Sequence, residues 1–265
     1  MIKDISLGQY IPGNSPLHRS DPRVKILLTI LCMVLVFLVN NYFNFLILYL
    51  FTGLIITVSE IPLKYTLKGL KPILFIVIFT IIINLFTVKG TPVFKYGPIE
   101  ISIQGIDISV KLALRLSLMV VITSLLTLTT TPILLTDALE SLMKPLKYVG
   151  IPVHEIAMMM TISLRFIPTL LDETEKIMKA QASRGADFDS GNILEKAKSF
   201  IPILVPLFVS AFRRADEMAV AMEARCYRGS EGRTRMKQLK ITPVDYKIIA
   251  VTLAVAAALI YLQYA

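Results

Sequence analysis

The feature that most constrains this chain is a stretch without a single charged residue, residues 26–59, which lies between Lys25 and Glu60. A membrane-spanning helix needs about 20 consecutive apolar residues. The stretch is therefore too long for one span and suits two. Asn40, Asn41 and Asn44 supply a polar break between them, which predicts helices over 24–39 and 43–58.

Three further apolar runs are long enough to cross a bilayer: residues 72–88, 108–128 and 248–264. The composition agrees, because only 18% of the residues are charged, whereas about a quarter are charged in soluble domains. Residues 89–105 are punctuated by glycine and proline and have room for a short extended hairpin. The chain is predicted to be an all-α integral membrane protein of about five transmembrane helices.

Orientation follows from the positive residues, because lysine and arginine collect in cytoplasmic loops. A cytoplasmic N-terminus keeps most of them inside, including Lys3, Arg19, Arg23, Lys25, Lys64, Lys68 and Lys71. This bias also explains the net charge of +9 without nucleic-acid binding. Residues 1–21 are polar, so no cleavable signal peptide is expected.

The region 132–243 between the fourth and fifth spans is expected to form cytoplasmic or interfacial helices. Helices are predicted over 132–148, 152–184 and 193–227, with a turn over 187–192. Gly150, Gly185 and Gly229 fit helix ends. The apolar halves of the last two helices, about 14 residues each, are short for a span and suit partly buried helices. Bends are expected at prolines of these helices: Pro145, Pro168, Pro202 and Pro206.

The last two helices of this region carry related sequences. Each contains Phe-Ile-Pro, and each ends in an arginine between small residues, in Ser183-Arg184-Gly185 and Ala224-Arg225-Cys226. A single such arginine is explained by the macrodipole at a helix C-terminus. Two of them favour docking on a partner, because small neighbours leave a guanidinium free to enter a pocket and to bind a carboxylate in bidentate fashion.

Catalytic motifs are missing from the sequence. It has no GxxxxGK[ST] phosphate loop, and nothing pairs His18 or His154 into a metal site or a nucleophile triad. No cofactor and no enzymatic activity are therefore expected. Cys32 and Cys226 lie in an apolar and a basic segment and are not expected to form a disulfide. A self-sufficient carrier or channel is disfavoured, because the only charges expected within the spans are Lys111 and Arg115.

The chain resembles the transmembrane T component (EcfT) of energy-coupling factor transporters. The resemblance covers essentially the whole chain and rests on the Ser-Leu-Arg-Phe-Ile-Pro stretch at 163–168 and on the two arginine motifs. The motifs depart from the family pattern, since Ser183 replaces the usual alanine and Cys226 the usual glycine. Both residues remain small.

The resemblance implies a non-catalytic subunit of an ATP-driven importer of a vitamin or metal ion in a bacterial or archaeal cytoplasmic membrane. Two ABC-type ATPase subunits would dock on Ser183, Arg184, Gly185, Ala224, Arg225 and Cys226. A small membrane substrate-binding subunit would rest on the platform Met158, Met159, Leu164, Ile203 and Leu207. The expected organisation is a cytoplasmic segment (1–23), four spans (24–131), coupling helices (132–243) and a final span (244–265). A lone carrier or channel and a scaffold for anionic lipid remain the alternatives.

Overall fold

The computed structural model describes residues 10–96, 99–186, 188, 198–229 and 238–264, with the backbone alone described over 92–101 and at 264. The chain forms two compact units. One contains the described residues of 8–138 and 238–265, and the other those of 139–237.

The first unit holds the apolar helices. In chain order its elements are α1 (Pro16–Arg19), α2 (Pro22–Leu38), α3 (Tyr42–Ser59), α4 (Leu63–Lys68), α5 (Lys71–Thr87), β1 (Pro92–Tyr96), β2 (Ile99–Ser102), α6 (Ile103–Thr129) and α10 (Pro243–Tyr264). The two strands pair antiparallel, which confirms the expected hairpin. Helix α7 (Pro132–Met143) leads from this unit into the other.

The architecture confirms an all-α membrane protein, with the short hairpin as its one described strand pair. Helices α3, α6 and α10 are long and apolar enough to span a bilayer. Helices α2 and α5, at the first and third predicted spans, are each 17 residues long. Helices α2, α3, α6 and α10 form the core of the unit, and its most buried side chains include Val36, Phe45, Leu118 and Leu259.

Helix α6 is longer than predicted. It begins at Ile103 instead of residue 108, because the Ser102 side chain caps it by accepting a hydrogen bond from the Gly105 amide at 3.0 Å. The added turn brings Asp107 into the helix, where its carboxylate receives the Lys111 ammonium at 2.7 Å. The expectation that Lys111 and Arg115 are the only charges in the spans is therefore wrong.

Arg115 has a structural role at the end of α2. Its Nε donates to the carbonyl of Val36 at 3.2 Å, and its Nη2 donates to the carbonyl of Val39 at 2.9 Å and to Asn40 Oδ1. The last carbonyls of a helix lack intrahelical donors, so a cation that reaches them also favours the negative end of the helix dipole. The contacts join α6 to the C-terminus of α2.

A second polar cluster joins the opposite end of α2 to α10. Asp245 is 0% exposed, and its carboxylate accepts hydrogen bonds from the amide of Asp21 at 2.8 Å and from the amide and hydroxyl of Thr242 at 2.6 and 2.8 Å. Lys25, also buried, donates to the carbonyl of Thr129 at 3.1 Å. Neither Lys25 nor Asp245 was predicted to hold helices together, because each lies at the end of an apolar run in the sequence.

The second unit contains the end of α7, a 3-10 helix (Lys144–Val149), α8 (Val153–Ser183) and α9 (Ile201–Ala224). Near Pro145, where a bend was predicted, the α-helix ends at Met143 and a 3-10 helix follows it. Helix α9 is shorter than the predicted helix over 193–227. The predicted start at residue 193 lies outside the described residues, as does the turn over 187–192 apart from Phe188.

The prolines of α8 and α9 differ in position. Pro202 lies in the first turn of α9, where its missing amide donor costs no intrahelical hydrogen bond, and residues 198–199 before it are also helical. A bend at Pro202 stays a prediction. Pro168 and Pro206 lie inside α8 and α9. Each removes one backbone hydrogen bond there, and bends at these two positions stay predictions.

Candidate partner-docking site

The C-terminus of α8 is closed by a Schellman motif built on the first arginine tripeptide. Arg184 is the C-cap residue, and Gly185 follows in the left-handed region with φ of +89°. The amide of Ala186 donates to the carbonyl of Gln181 at 3.0 Å, and the amide of Gly185 donates to the carbonyl of Ala182 at 3.0 Å. These two bonds define the motif and satisfy carbonyls that the helix leaves open.

The C-terminus of α9 repeats the same arrangement with the second tripeptide. Arg225 is the C-cap residue, and Cys226 occupies the left-handed position with φ of +55°. The amides of Tyr227 and Cys226 donate to the carbonyls of Met222 and Glu223 at 3.0 and 2.9 Å. The prediction that Gly229 ends this helix is wrong, since Cys226 takes the left-handed position three residues earlier.

The two arginines are therefore presented in the same way. Their backbone angles nearly coincide, with φ of −91° in both and ψ of 7° for Arg184 and 13° for Arg225. Their small neighbours Ser183, Gly185, Ala224 and Cys226 are exposed, as are the arginines. Among the residues that the structure describes, no carboxylate lies within ion-pair distance of either guanidinium.

Cys226 is a residue with a β-carbon at a position that favours glycine, and this gives a first prediction. Cys226→Gly should raise the free energy of unfolding by about 1 kcal/mol, because glycine adopts positive φ without steric cost. The matched variant is Gly185→Ala. A β-carbon at 185 would contact nothing within 4 Å, so its expected loss of about 1 kcal/mol is purely a backbone effect.

Thermal unfolding of the two purified variants, followed by circular dichroism in detergent, measures these changes. Equal stability of wild type and Cys226→Gly, together with a destabilised Gly185→Ala, would show that Cys226 does not hold the left-handed conformation at the end of α9.

A polar contact joins α8 to α9. The carboxylate of Glu173 accepts a hydrogen bond from the Ser210 hydroxyl and another from Arg214 Nη2 at 2.8 Å. The hydrogen bond from Ser210, and then the charge of Arg214, hold the pKa of Glu173 below its usual range although burial opposes this. This contact was not predicted from the sequence. The feature that could have indicated it is the spacing of Ile203, Leu207, Ser210 and Arg214, which places them on one helical face.

One member of the predicted platform, Ile203, lies on this same face and is not exposed. Ile203 is 2% exposed and lies on the buried side of α9, so it offers no surface to another chain in this structure. Met159 is 57% exposed, whereas Met158, Leu164 and Leu207 are half-buried. The exposed apolar face of α9 consists instead of Ile201, Leu204, Val205, Phe208, Val209 and Phe212.

Comparison with known proteins gives the family. The family model CbiQ, described as a cobalt transport protein, matches residues 13–236. The chain is 61% identical over 264 residues to a protein of Ruminiclostridium cellulolyticum, which covers 100% of this chain and 99% of the relative. It is 51% identical over 264 residues to a protein of Acidaminococcus fermentans, with 100% and 98% covered.

A protein of Bacillus subtilis is 47% identical over 264 residues, with 99% of this chain and 100% of the relative covered. Each of these three relatives is an energy-coupling factor transporter transmembrane protein, EcfT. The matched length and the identity show that the chain belongs to the EcfT family of energy-coupling factor transporter transmembrane proteins.

Proposed function

We propose that this chain is the coupling subunit that links two cytosolic ABC-type ATPase subunits to a small membrane subunit that binds the substrate. The observation that carries the proposal is the pair of equivalent helix ends, each of which exposes one arginine. Two like sites on one chain fit two similar partner subunits. A guanidinium on a short, rigid cap is well suited to a carboxylate pocket, because it can form two parallel hydrogen bonds.

The proposal assigns the apolar surface to the substrate-binding subunit. Six large side chains of α9 are exposed between residues 201 and 212, and Met159 and Met160 are exposed on α8. A patch of this kind on a membrane-associated unit fits a membrane partner, and methionine adapts to more than one partner. Of the predicted platform, Met158, Met159 and Leu164 remain assigned to this surface, and the exposed face of α9 is added. Leu207 lies with Ile203 on the other face of α9.

The proposal places the N-terminus and residues 132–243 on the cytoplasmic side of a bacterial or archaeal membrane, since this orientation obeys the positive-inside rule. The imported substrate would be a vitamin or a metal ion. The family description names cobalt transport, which favours the metal ion within the family at large.

The test is co-expression of the chain with a pair of ABC-type ATPases, followed by affinity purification through a tag on this chain. The wild type should retain both ATPases. The double variant Arg184→Glu with Arg225→Glu should retain almost none, because it replaces two attractive charge contacts with repulsion.

A matched control separates docking from a general effect of charge. Lys176→Glu with Arg228→Glu makes the same change of net charge at two exposed residues outside the tripeptides and should leave retention unchanged. Equal losses in the two double variants would favour the lipid-scaffold alternative. Substrate uptake into liposomes by the chain alone would favour a self-sufficient carrier.

A further inference from the structure

We propose that the contact of Glu173 with Ser210 and Arg214 fixes the register between α8 and α9 and thereby sets the spacing of the two docking arginines. These three are positioning residues, since they lie away from the docking tripeptides. The inference rests on the proposed docking function and adds the element that makes the two sites act together.

The contact lies at matching distances from both docking sites. Glu173 precedes Arg184 by eleven residues, and Arg214 precedes Arg225 by eleven residues. At 1.5 Å per residue, each arginine stands about 16 Å along its helix from the same contact. Any slip of one helix along the other therefore changes the relative position of the two guanidinium groups directly.

The contact is selective for one register because its two donors come from successive turns of α9. One oxygen of Glu173 binds the Ser210 hydroxyl, and the other binds Arg214 at 2.8 Å. A slip of one turn, about 5 Å, would leave the carboxylate with only one of the two donors. The side chain of Glu173 is 23% exposed and that of Arg214 is 33% exposed, so water replaces a lost partner only in part.

Apolar packing between the helices cannot provide this selectivity by itself. Burial of leucine, isoleucine and methionine is non-directional and tolerates small shifts. The rest of the stripe that faces inward on α9 is of this type, with Ile203 buried and Leu207 half-buried. The polar contact therefore supplies the directional interaction that favours one register of α8 against α9.

Spacing matters because the two arginines bind as a bivalent unit. When two linked sites engage two linked partners, the second contact forms at a high effective concentration, and avidity exceeds either single affinity by about 10²-fold or more. That gain is lost when the geometry does not allow both contacts at once. A change of register should therefore weaken binding of an ATPase pair far more than binding of one ATPase.

The experiment measures spacing and binding in the same variants of the full chain. Nitroxide labels are placed at Ala180 and Ala221, each exposed and four residues before its docking arginine. Pulsed electron paramagnetic resonance measures the distance between the two labels. The labelling background replaces Cys32 with alanine and Cys226 with glycine. Binding is measured with the same ABC-type ATPases, as a pair and as single subunits.

Glu173→Gln and Ser210→Ala should each broaden or shift the distance distribution. They should weaken binding of the ATPase pair about tenfold or more while binding of single subunits stays within about twofold. Glu173→Arg alone should have the same effects, and its combination with Arg214→Glu, which exchanges the two charges, should restore both the distance and the binding. Glu217→Gln is the matched control, because its pair with Arg213 lies within α9 and is exposed at both ends.

The outcomes are distinct for the two proposals. If wild type binds neither single ATPases nor the pair, the proposed docking function fails. If wild type binds the pair while Glu173→Gln and Ser210→Ala keep its distance distribution and its affinity, the positioning role is overturned and docking stands. Restoration by the charge exchange supports positioning, and a variant that merely unfolds would not be restored by it.

Discussion

Either Arg184→Ala or Arg225→Ala alone should lower ATP-driven uptake by roughly a hundredfold. Truncation of one partner in a desolvated charge pair costs about 2–5 kcal/mol, and each 1.4 kcal/mol corresponds to a tenfold change in affinity. The loss should be nearly as large in each single variant as in the double variant. Under the proposed function, both ATPases must be docked for their closure to act on the substrate-binding subunit, so the two losses should not add.

The measurement is uptake of a radiolabelled substrate into proteoliposomes that contain this chain, the ATPase pair and a substrate-binding subunit. Arg228→Ala, at an exposed arginine three residues beyond Arg225, is the matched control and should retain wild-type uptake. Uptake that falls by independent factors in the two single variants, with the double variant at their product, would contradict joint docking.

Replacement of Asp245 should cause the largest loss of stability in the unit of apolar helices. Asp245→Ala removes the acceptor for the amide of Asp21, which is buried at the start of α2, and for the amide of Thr242, which is half-buried just before α10. An unsatisfied buried donor costs about 1–3 kcal/mol, so the expected loss is about 3 kcal/mol. Asp245→Asn keeps one acceptor oxygen and should lose about half as much.

The buried thiol of Cys32 provides the readout, since a maleimide dye reaches it only when this unit opens. The assay uses the Cys226→Gly background, in which no exposed thiol remains in the described part of the chain. Asp172→Ala, the same change at an exposed aspartate of α8, should leave the unfolding temperature unchanged. An unfolding temperature of Asp245→Ala equal to that of the control would show that the cluster does not hold α10 to α2.

Much of the fold could be predicted from hydropathy alone. The charge-free stretch over 26–59 predicted two helices, and α2 and α3 begin and end within two residues of the predicted bounds. Helix α8 was predicted as closely. The start of α6 was missed, because Asp107 interrupts the apolar pattern near it and the Ser102 cap, instead of hydropathy, fixes where the helix begins.

The candidate site was predictable as a motif and not as a geometry. The two tripeptides are visible in the sequence and align Cys226 with Gly185. Only the backbone shows that Cys226 shares the left-handed conformation of Gly185, since a cysteine at positive φ has no sequence signature. The position of Pro202 within its helix was also not predictable from hydropathy, because an apolar run does not show that α9 begins at Ile201, just before this proline.

The sequence by itself determined which segments prefer a bilayer and which two arginines stand between small residues, because both depend only on residues near one another in the chain. The tertiary structure decided which polar groups meet. Glu173 and Arg214 are 41 positions apart in the sequence and Asp21 and Asp245 are 224 apart, and only folding brings their hydrogen-bonding atoms within 3 Å. It also decided that Ile203 is buried and that its exposed neighbours on α9 form the surface, because burial depends on the facing helix and not on the hydrophobicity of the residue.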